Sequence, residues 1–544
     1  MIPFAILILA AVAIGVWLCC RDRVDLVIYN ANIYTVDNDF SKAQAVAVRD
    51  GRYVAVGSNT AIRMRYRARR CVNAHGAAAY PGFMDGHAHF MSLAETRYRY
   101  ADLTGCQSFD EVLQRLQTHA AKHPDGWLLG RGWDQNLWPT AEFPDNSRLE
   151  ALFPGRPVAL TRIDGHAGLV SDTVLRMMGY NVTTQMEGGR VLTAGGRPTG
   201  ILLDAAYDRV KVAVPPLTHA EWETALQEAE QLCFAVGLTA VTDAGLPLER
   251  ILLIDSLQCA GKLHIKENAM IDPDEATMSY FFARGPLHKE RLAVCALKLY
   301  ADGALGSRGA HLLAPYADDP QNCGIAMYPA TYYDSLCRRA YDAGFQVCTH
   351  AIGDAGVHDI LTYYARCLQG RNDRRWRVEH SQVVDAADFD RYGQYGIIPS
   401  IQTTHATSDM GWAGQRLGDR LNNAYAYQRL LQQNGWLING TDFPIEDISP
   451  LATFHAAVTR QDCNGNPAGG WQMEEALTRE QALRSITCWV AKGYFEENNK
   501  GCIEAGKEAD LVLLDHDIMT CPAEQILPTR ILALYLSGEE VYKQ

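Results

Sequence analysis

Pro81–His89 reads PGFMDGHAH, an apolar stretch opened by Pro-Gly and closed by polar residues. Seven more segments repeat this order of apolar run and polar end. They are GLTAVTDAG (Gly237–Gly245), HIKENAMID (His264–Asp272), ALKLYADG (Ala296–Gly303) and FQVCTHAIGD (Phe345–Asp354), followed by WRVEHSQ (Trp376–Gln382), GIIPSIQTTH (Gly396–His405) and WLINGTDFP (Trp436–Pro444). Amphipathic stretches separate them, the pattern of a parallel α/β fold. Eight such units predict a (β/α)8 TIM barrel over residues 81–497, with its active site at the C-terminal strand ends. A block over about 96–230 holds GWLLGRGWDQNLWP and PVALTRIDGHAG. It reads as an insertion after the first strand that caps the barrel mouth.

Outside the barrel, residues 24–80 and 498–544 carry β-branched runs broken by Asn-Ala, Asp-Gly and Gly-Ser turns. Two β-rich ends around a long middle predict one small β-sandwich domain built from both termini. Val24–Val36 and Ala509–Leu514 are the expected closing pair, since each is an apolar strand flanked by turns.

The 544 residues are 48% hydrophobic and 21% charged, which excludes disorder as the dominant state. A net charge of −13 argues against a nucleic-acid partner, which needs a basic face. The 15 cysteines show no CxxC pair and read as reduced thiols. At the N-terminus, Ile2–Cys20 is an unbroken apolar run reaching about 28 Å as a helix, nearly a hydrocarbon core. Arg21 and Arg23 follow it, so residues 1–23 are expected to anchor the chain in a membrane with the catalytic domain on the cytoplasmic side. Export by a cleaved signal or as a lipid-anchored protein is the alternative.

The strand ends carry the chemistry. His87 and His89, at i and i+2 on an extended segment, point to one face and can bind one metal together. His350 ends FQVCTH and His380 ends WRVEH. Each alone reads sooner as a satisfied core or loop histidine than as a ligand. Asp442 ends LINGTD, where a turn or helix-cap aspartate is the plain alternative. A barrel brings all of these onto one rim, a complete ligand set for a hydrolytic metal. Lys298 lies amid apolar residues in LKLYADG. It is either a snorkelling or paired lysine, or one whose depressed pKa lets it add carbon dioxide as a carbamate.

These motifs, with NANIYTVD, GRGWDQNLW, KLYADGALGSRGA, THAIGDAG, RVEHSQ, QTTHATSD, GTDFPIE, AAVTRQD and GKEADLVLLD, resemble the amidohydrolase superfamily. The likeness is to its third amidohydrolase family, which includes N-substituted formamide deformylase, and it runs from Asp25 to Tyr542. It implies that His87 and His89 hold the more buried metal, Lys298 is a carboxylated bridge, and His350 and His380 hold a second metal. Asp442 then ligates metal and takes the proton of the attacking water. The implied metal is zinc, as one or two ions. Arg308 is read as binding a carboxylate or oxyanion, or as holding a loop. His405 is read as polarising a carbonyl, or as structural. His166, Asp134 and Trp133 either touch substrate or stabilise the insertion. Where the family has asparagine-serine after DGHAG, this chain has Ser171-Asp172, which bears on substrate details. The expected activity is hydrolysis of a small-molecule amide or N-substituted formamide. The alternatives are a lactone, carbamate or cyclic-amide hydrolase, or a membrane-tethered binding protein without turnover. A homodimer is compatible with the sequence.

Overall fold

In a computed structural model, residues 21–163 and 165–544 are described. They fall into two compact units: the chain up to Phe90 together with Glu230–Gln544, and Met91–Ala229.

The first unit is built on eight parallel strands in chain order: β1 (Phe83–Met84), β2 (Leu238–Leu246), β3 (Lys266–Ile271), β4 (Leu292–Tyr300), β5 (Gln346–Ala351), β6 (Arg377–His380), β7 (Ile398–Ile401) and β8 (Ile438–Asn439). A short strand, Leu287–His288, pairs antiparallel with β4. Strands β2 to β6 are buried nearly throughout, as parallel strands covered on both faces must be. Past the two outer strands the backbone is joined by hydrogen bonds. Gly86 N–H donates to Asn439 O (3.1 Å), Asp442 N–H to His87 O (2.7 Å) and His89 N–H to Phe443 O (2.8 Å). Two glycines permit that approach. A Cβ on Gly86 would lie 2.1 Å from Ile438 Cγ2, and one on Gly440 would lie 2.4 Å from His87 N. The architecture is a TIM-barrel-like α/β fold.

Two further sheets come from the chain's ends. One orders Arg52–Gly57, Ala45–Arg49, Asp22–Tyr29 and Tyr66–Asn73. The other orders Glu539–Lys543, Ile531–Leu536, Leu511–Leu514, Ala78–Pro81, Asn32–Tyr34 and Lys42–Ala43. A single apolar cluster takes Leu26, Ile28, Val46 and Val48 from the first and Ile33, Leu511, Leu513 and Tyr535 from the second. The expected pairing of Val24–Val36 with Ala509–Leu514 is not made directly. Ala78–Pro81 lies between, parallel to Asn32–Tyr34 and antiparallel to Leu511–Leu514. Its small, fully buried Ala78 and Ala79 suit a central strand.

The Met91–Ala229 unit has its own six-stranded sheet, ordered Gly189–Ala194, Arg197–Asp204, Ala167–Val170, Val158–Arg162, Leu128–Trp133 and Tyr100–Asp102. The helix Phe109–Lys122 starts where Ser108 Oγ accepts from Glu111 N–H. It buries Val112, Leu113 and Leu116 against Leu128, Trp133 and Leu160.

The membrane reading is corrected here. Among the described residues no helix is long and apolar enough to cross a membrane. The helix His219–Ala235 shows why length alone fails, since its 17 residues include Glu221, Glu223, Glu228 and Glu230. The run Ile2–Cys20 lies outside the described residues. The membrane partner, the anchored location and the cytoplasmic placement therefore find no support and are withdrawn.

Candidate metal centre

The polar ends of β1, β4, β5, β6 and β8 meet in one pocket of about 400 Å³, lined by His87, His89, Lys298, His350, His380, His405 and Asp442 among others. The strand period explains the selection. His350 and His380 are the polar ends of QVCTHA and RVEH, whose other side chains are nearly all buried. His380 and Asp442 adopt left-handed backbone conformations (φ 70° and 62°). For non-glycine residues that is sterically costly, on the order of 1–3 kcal/mol each, and such strain collects at functional sites.

Asp442 is the hub. Its Oδ1 lies 3.2 Å from His89 Nε2 and 3.6 Å from His87 Nε2, and its Oδ2 lies 3.6 Å from His405 Nε2. His87, His89 and Asp442 form one group that could hold an ion, and His380, His405 and Asp442 form another. The rings of His350 and His380 are 4.5 Å apart between centroids, and those of His87 and His380 are 5.0 Å apart. His87 Nε2, His350 Nε2, His380 Nδ1, His405 Nε2 and Asp442 Oδ1 are all buried without an aligned hydrogen-bond partner. Orphaned buried donors and acceptors are costly, on the order of 1–3 kcal/mol each. Five of them facing one space fit a cation with nitrogen and oxygen ligands.

The electrostatics agree. Burial, with the field of Lys298, pushes the His87 pKa down to about 4 and the His350 pKa down to about 3. Burial, together with its histidine neighbours, also holds the His380 pKa well below the usual value. These imidazoles are neutral, so their lone pairs are free. Burial would raise the Asp442 pKa, but contact with His89 and the fields of His87, His380 and His405 outweigh it. The carboxyl is held well below its usual range and is ionised.

Lys298 sits in β4 at 1% exposure, and its pKa is lowered, chiefly by burial. Its Nζ lies 4.6 Å from the centre of the Tyr300 ring. Among the described residues no carboxylate lies within ion-pair distance of it, so the paired-lysine alternative is not the one seen.

A model of the amidohydrolase family matches residues 70–542. The chain belongs to the amidohydrolase family. This amidohydrolase is 29% identical over 541 residues to the protein LONG AFTER FAR-RED 3 of Arabidopsis thaliana, covering 95% of this chain and 91% of the relative. It is 26% identical over 550 residues to the N-substituted formamide deformylase of Arthrobacter pascens, covering 96% and 98%. In three dimensions it is similar to an uncharacterised metal-dependent hydrolase from Pyrococcus horikoshii, with a TM-score of 0.76 and 25% identity over 92% of this chain and 99% of that one.

Some important residues of this amidohydrolase went unread in the sequence. Glu379, fully buried, receives His87 Nδ1 at 2.6 Å and meets Arg377 Nε at 2.8 Å. Burial opposes its ionisation, but Arg377 and His87 hold its pKa down to about 2. Glu379 is therefore the acceptor and His87 Nδ1 the donor, which leaves His87 Nε2 as the free ligand atom. The only sequence signal was an acid inside a buried strand. Asp85 accepts from His87 N–H (3.0 Å) and Thr441 Oγ (2.7 Å), tying the first strand end to the last. Asp302, by contrast, stands out in the sequence as a supporting residue of KLYADGALGSRGA; it accepts from the backbone N–H groups of His311, Ile352 and Gly353 and lies 3.6 Å from His350 Nε2.

The other expected residues are placed as follows. His405 lies in the helix Thr403–Asp409, its ring 5.8 Å from that of His380. Arg308 is held by both carboxylate oxygens of Asp318, at 3.1 and 2.9 Å, which is its loop-holding reading. Trp133 Nε1–H donates to Leu160 O, Asp134 pairs with Arg162, and His166 meets Asp204, all within the Met91–Ala229 unit.

Proposed function

We propose that this amidohydrolase cleaves a carbon–nitrogen bond of an amide or N-substituted formamide at a zinc centre. The ligands would be His87, His89, Lys298, His350, His380 and Asp442. The observation that carries the reading is the convergence of buried imidazole nitrogens without hydrogen-bond partners on the carboxylate of Asp442. A divalent ion in such a site acts as a Lewis acid and lowers the pKa of water toward about 7. Lys298, buried and without a carboxylate partner, would take up carbon dioxide. Attack of its amine on the carbon, with loss of a proton, would leave an anionic carbamate whose oxygens could serve as metal ligands.

The residues of the chain divide the remaining work. Asp442, ionised and next to the imidazoles, accepts the proton of the attacking water and returns it to the leaving nitrogen. His405 donates a hydrogen bond to the carbonyl oxygen as charge builds there. Leu305, Ile352 and Trp412 give the pocket an apolar wall for the substituent. The two terminal sheets form the small sandwich domain, a reading supported by their shared apolar cluster.

The deciding experiment measures metal content alongside turnover on a panel of N-substituted formamides, acylamines and lactones. Turnover of formamides or acylamines by zinc-loaded protein is expected. A zinc-loaded protein that opens lactones and leaves every amide intact would overturn the bond assignment. Incubation with ¹³C-bicarbonate should give a carbamate resonance that Lys298→Met lacks.

A further inference from the structure

Away from the metal centre, Cys488 and Cys502 line one pocket of about 570 Å³ with Val36, Arg484 and Lys507. Cys488 is half-buried and opens the helix Cys488–Gly493, and Cys502 is 8% exposed. The chain is shaped to bring them together. Gly501 has φ +86°, and a Cβ there would lie 2.8 Å from both Cys488 Cα and Ala491 Cβ. Only glycine lets the segment sit on the first turn of that helix, and the next residue is Cys502. Cys502 Sγ lies 3.1 Å from Val36 O, which fixes its thiol on this side.

Cys488 Sγ lies 3.9 Å from Arg484 O, and Arg484 and Lys507 line the same pocket, so each thiol has a cation at hand. Arg484 reaches Cys488, and Lys507 reaches Cys502. The neighbouring Cys502 sulfur and Arg484 outweigh burial and lower the Cys488 pKa, while that of Cys502 is raised. A thiol of lowered pKa beside cations, open to a pocket and backed by a second thiol, is the arrangement of an oxidisable pair. The hydrolytic chemistry uses neither residue.

We propose that Cys488 and Cys502 are a dithiol modification site that a hydroperoxide converts to an intrachain disulfide. The Cys488 thiolate attacks the peroxide oxygen, the O–O bond breaks, and the leaving alkoxide or hydroxide takes a proton. Cys488 is then a sulfenic acid. The Cys502 sulfur attacks the Cys488 sulfur, the S–O bond breaks, and water leaves with the Cys502 proton. Two electrons pass from the two sulfurs to the peroxide, which is reduced to alcohol or water.

The test treats the purified full-length chain with equimolar hydrogen peroxide, then alkylates remaining thiols under denaturing conditions and maps peptides. The expected result is a Cys488–Cys502 cross-linked peptide, with the exposed Cys71, Cys259 and Cys463 still alkylated. Cys502→Ser should stop at a dimedone-trappable sulfenic acid on Cys488, and Cys488→Ser should leave Cys502 reduced. The wild-type map needs no variant to fold. Oxidation of Cys71, Cys259 or Cys463 ahead of the pair would overturn the proposal. So would a Cys488 sulfenic acid that persists in the wild-type chain.

Discussion

His87 Nδ1 and Glu379 Oε2 stand 2.6 Å apart, both side chains wholly removed from solvent, and Arg377 closes on the far oxygen of the same carboxylate. The contact fixes the tautomer of His87 and strengthens its other nitrogen as a ligand. Glu379→Gln keeps the shape and removes the charge. Loss of such an outer partner typically weakens metal binding about 10–100-fold. Zinc retention against a competing chelator should fall by that factor. Unchanged retention would mean that the pair serves folding alone.

Asp442→Asn should keep most of the bound metal, because the amide oxygen preserves one donor, yet lose turnover by at least about a hundredfold through loss of the proton acceptor. His405→Ala should lose about a hundredfold in rate with little change in metal. Metal analysis beside turnover on the best panel substrate distinguishes the two roles. Near wild-type rates for Asp442→Asn would place the base elsewhere.

A methyl group at position 440 would collide with His87 N at 2.4 Å and Asp85 Oδ1 at 2.7 Å. Overpacking of this kind costs about 1–3 kcal/mol. Gly440→Ala should therefore lower the unfolding midpoint and displace His87, so stability and zinc content fall together. Denaturant melts with metal analysis read both.

In chelator-treated protein, His350 should make stability depend on pH. Its folded pKa of about 3 lies below the usual histidine value, so the unfolded chain binds the extra proton first as pH falls. The contribution is complete above about pH 6.5 and is lost progressively toward pH 3, at up to about 1.4 kcal/mol per pH unit. His350→Gln should remove that slope. Parallel melts of the two proteins across pH 7 to 5 check it, and identical pH dependence would show that folding does not shift the His350 pKa.

Much of this was legible in the sequence because strand and barrel periodicities are strict. An apolar run ending in His350 or His380 delivers that residue to the rim, and His87 and His89 share a face by alternation alone. Glu379 was illegible because nothing in RVEH distinguishes an acid facing a buried arginine from one facing water. The position of Ala78–Pro81 between the two terminal segments was equally hidden. Four residues without polar alternation carry no register. Arg308 has two readings in the sequence because nothing local to it marks its contact with Asp318, ten residues on.

The strand Ala78–Pro81 has a bearing on how the protein is made. One of its neighbours is synthesised early, as Asn32–Tyr34, and the other very late, as Leu511–Leu514. Tyr80 reaches its partner Asp517 across 437 positions of chain. During translation the early strands wait with an unpaired edge while the whole barrel emerges, and such edges invite pairing with other chains. A premature stop codon before Leu511 would spare every residue of the metal centre and still yield a product prone to aggregate.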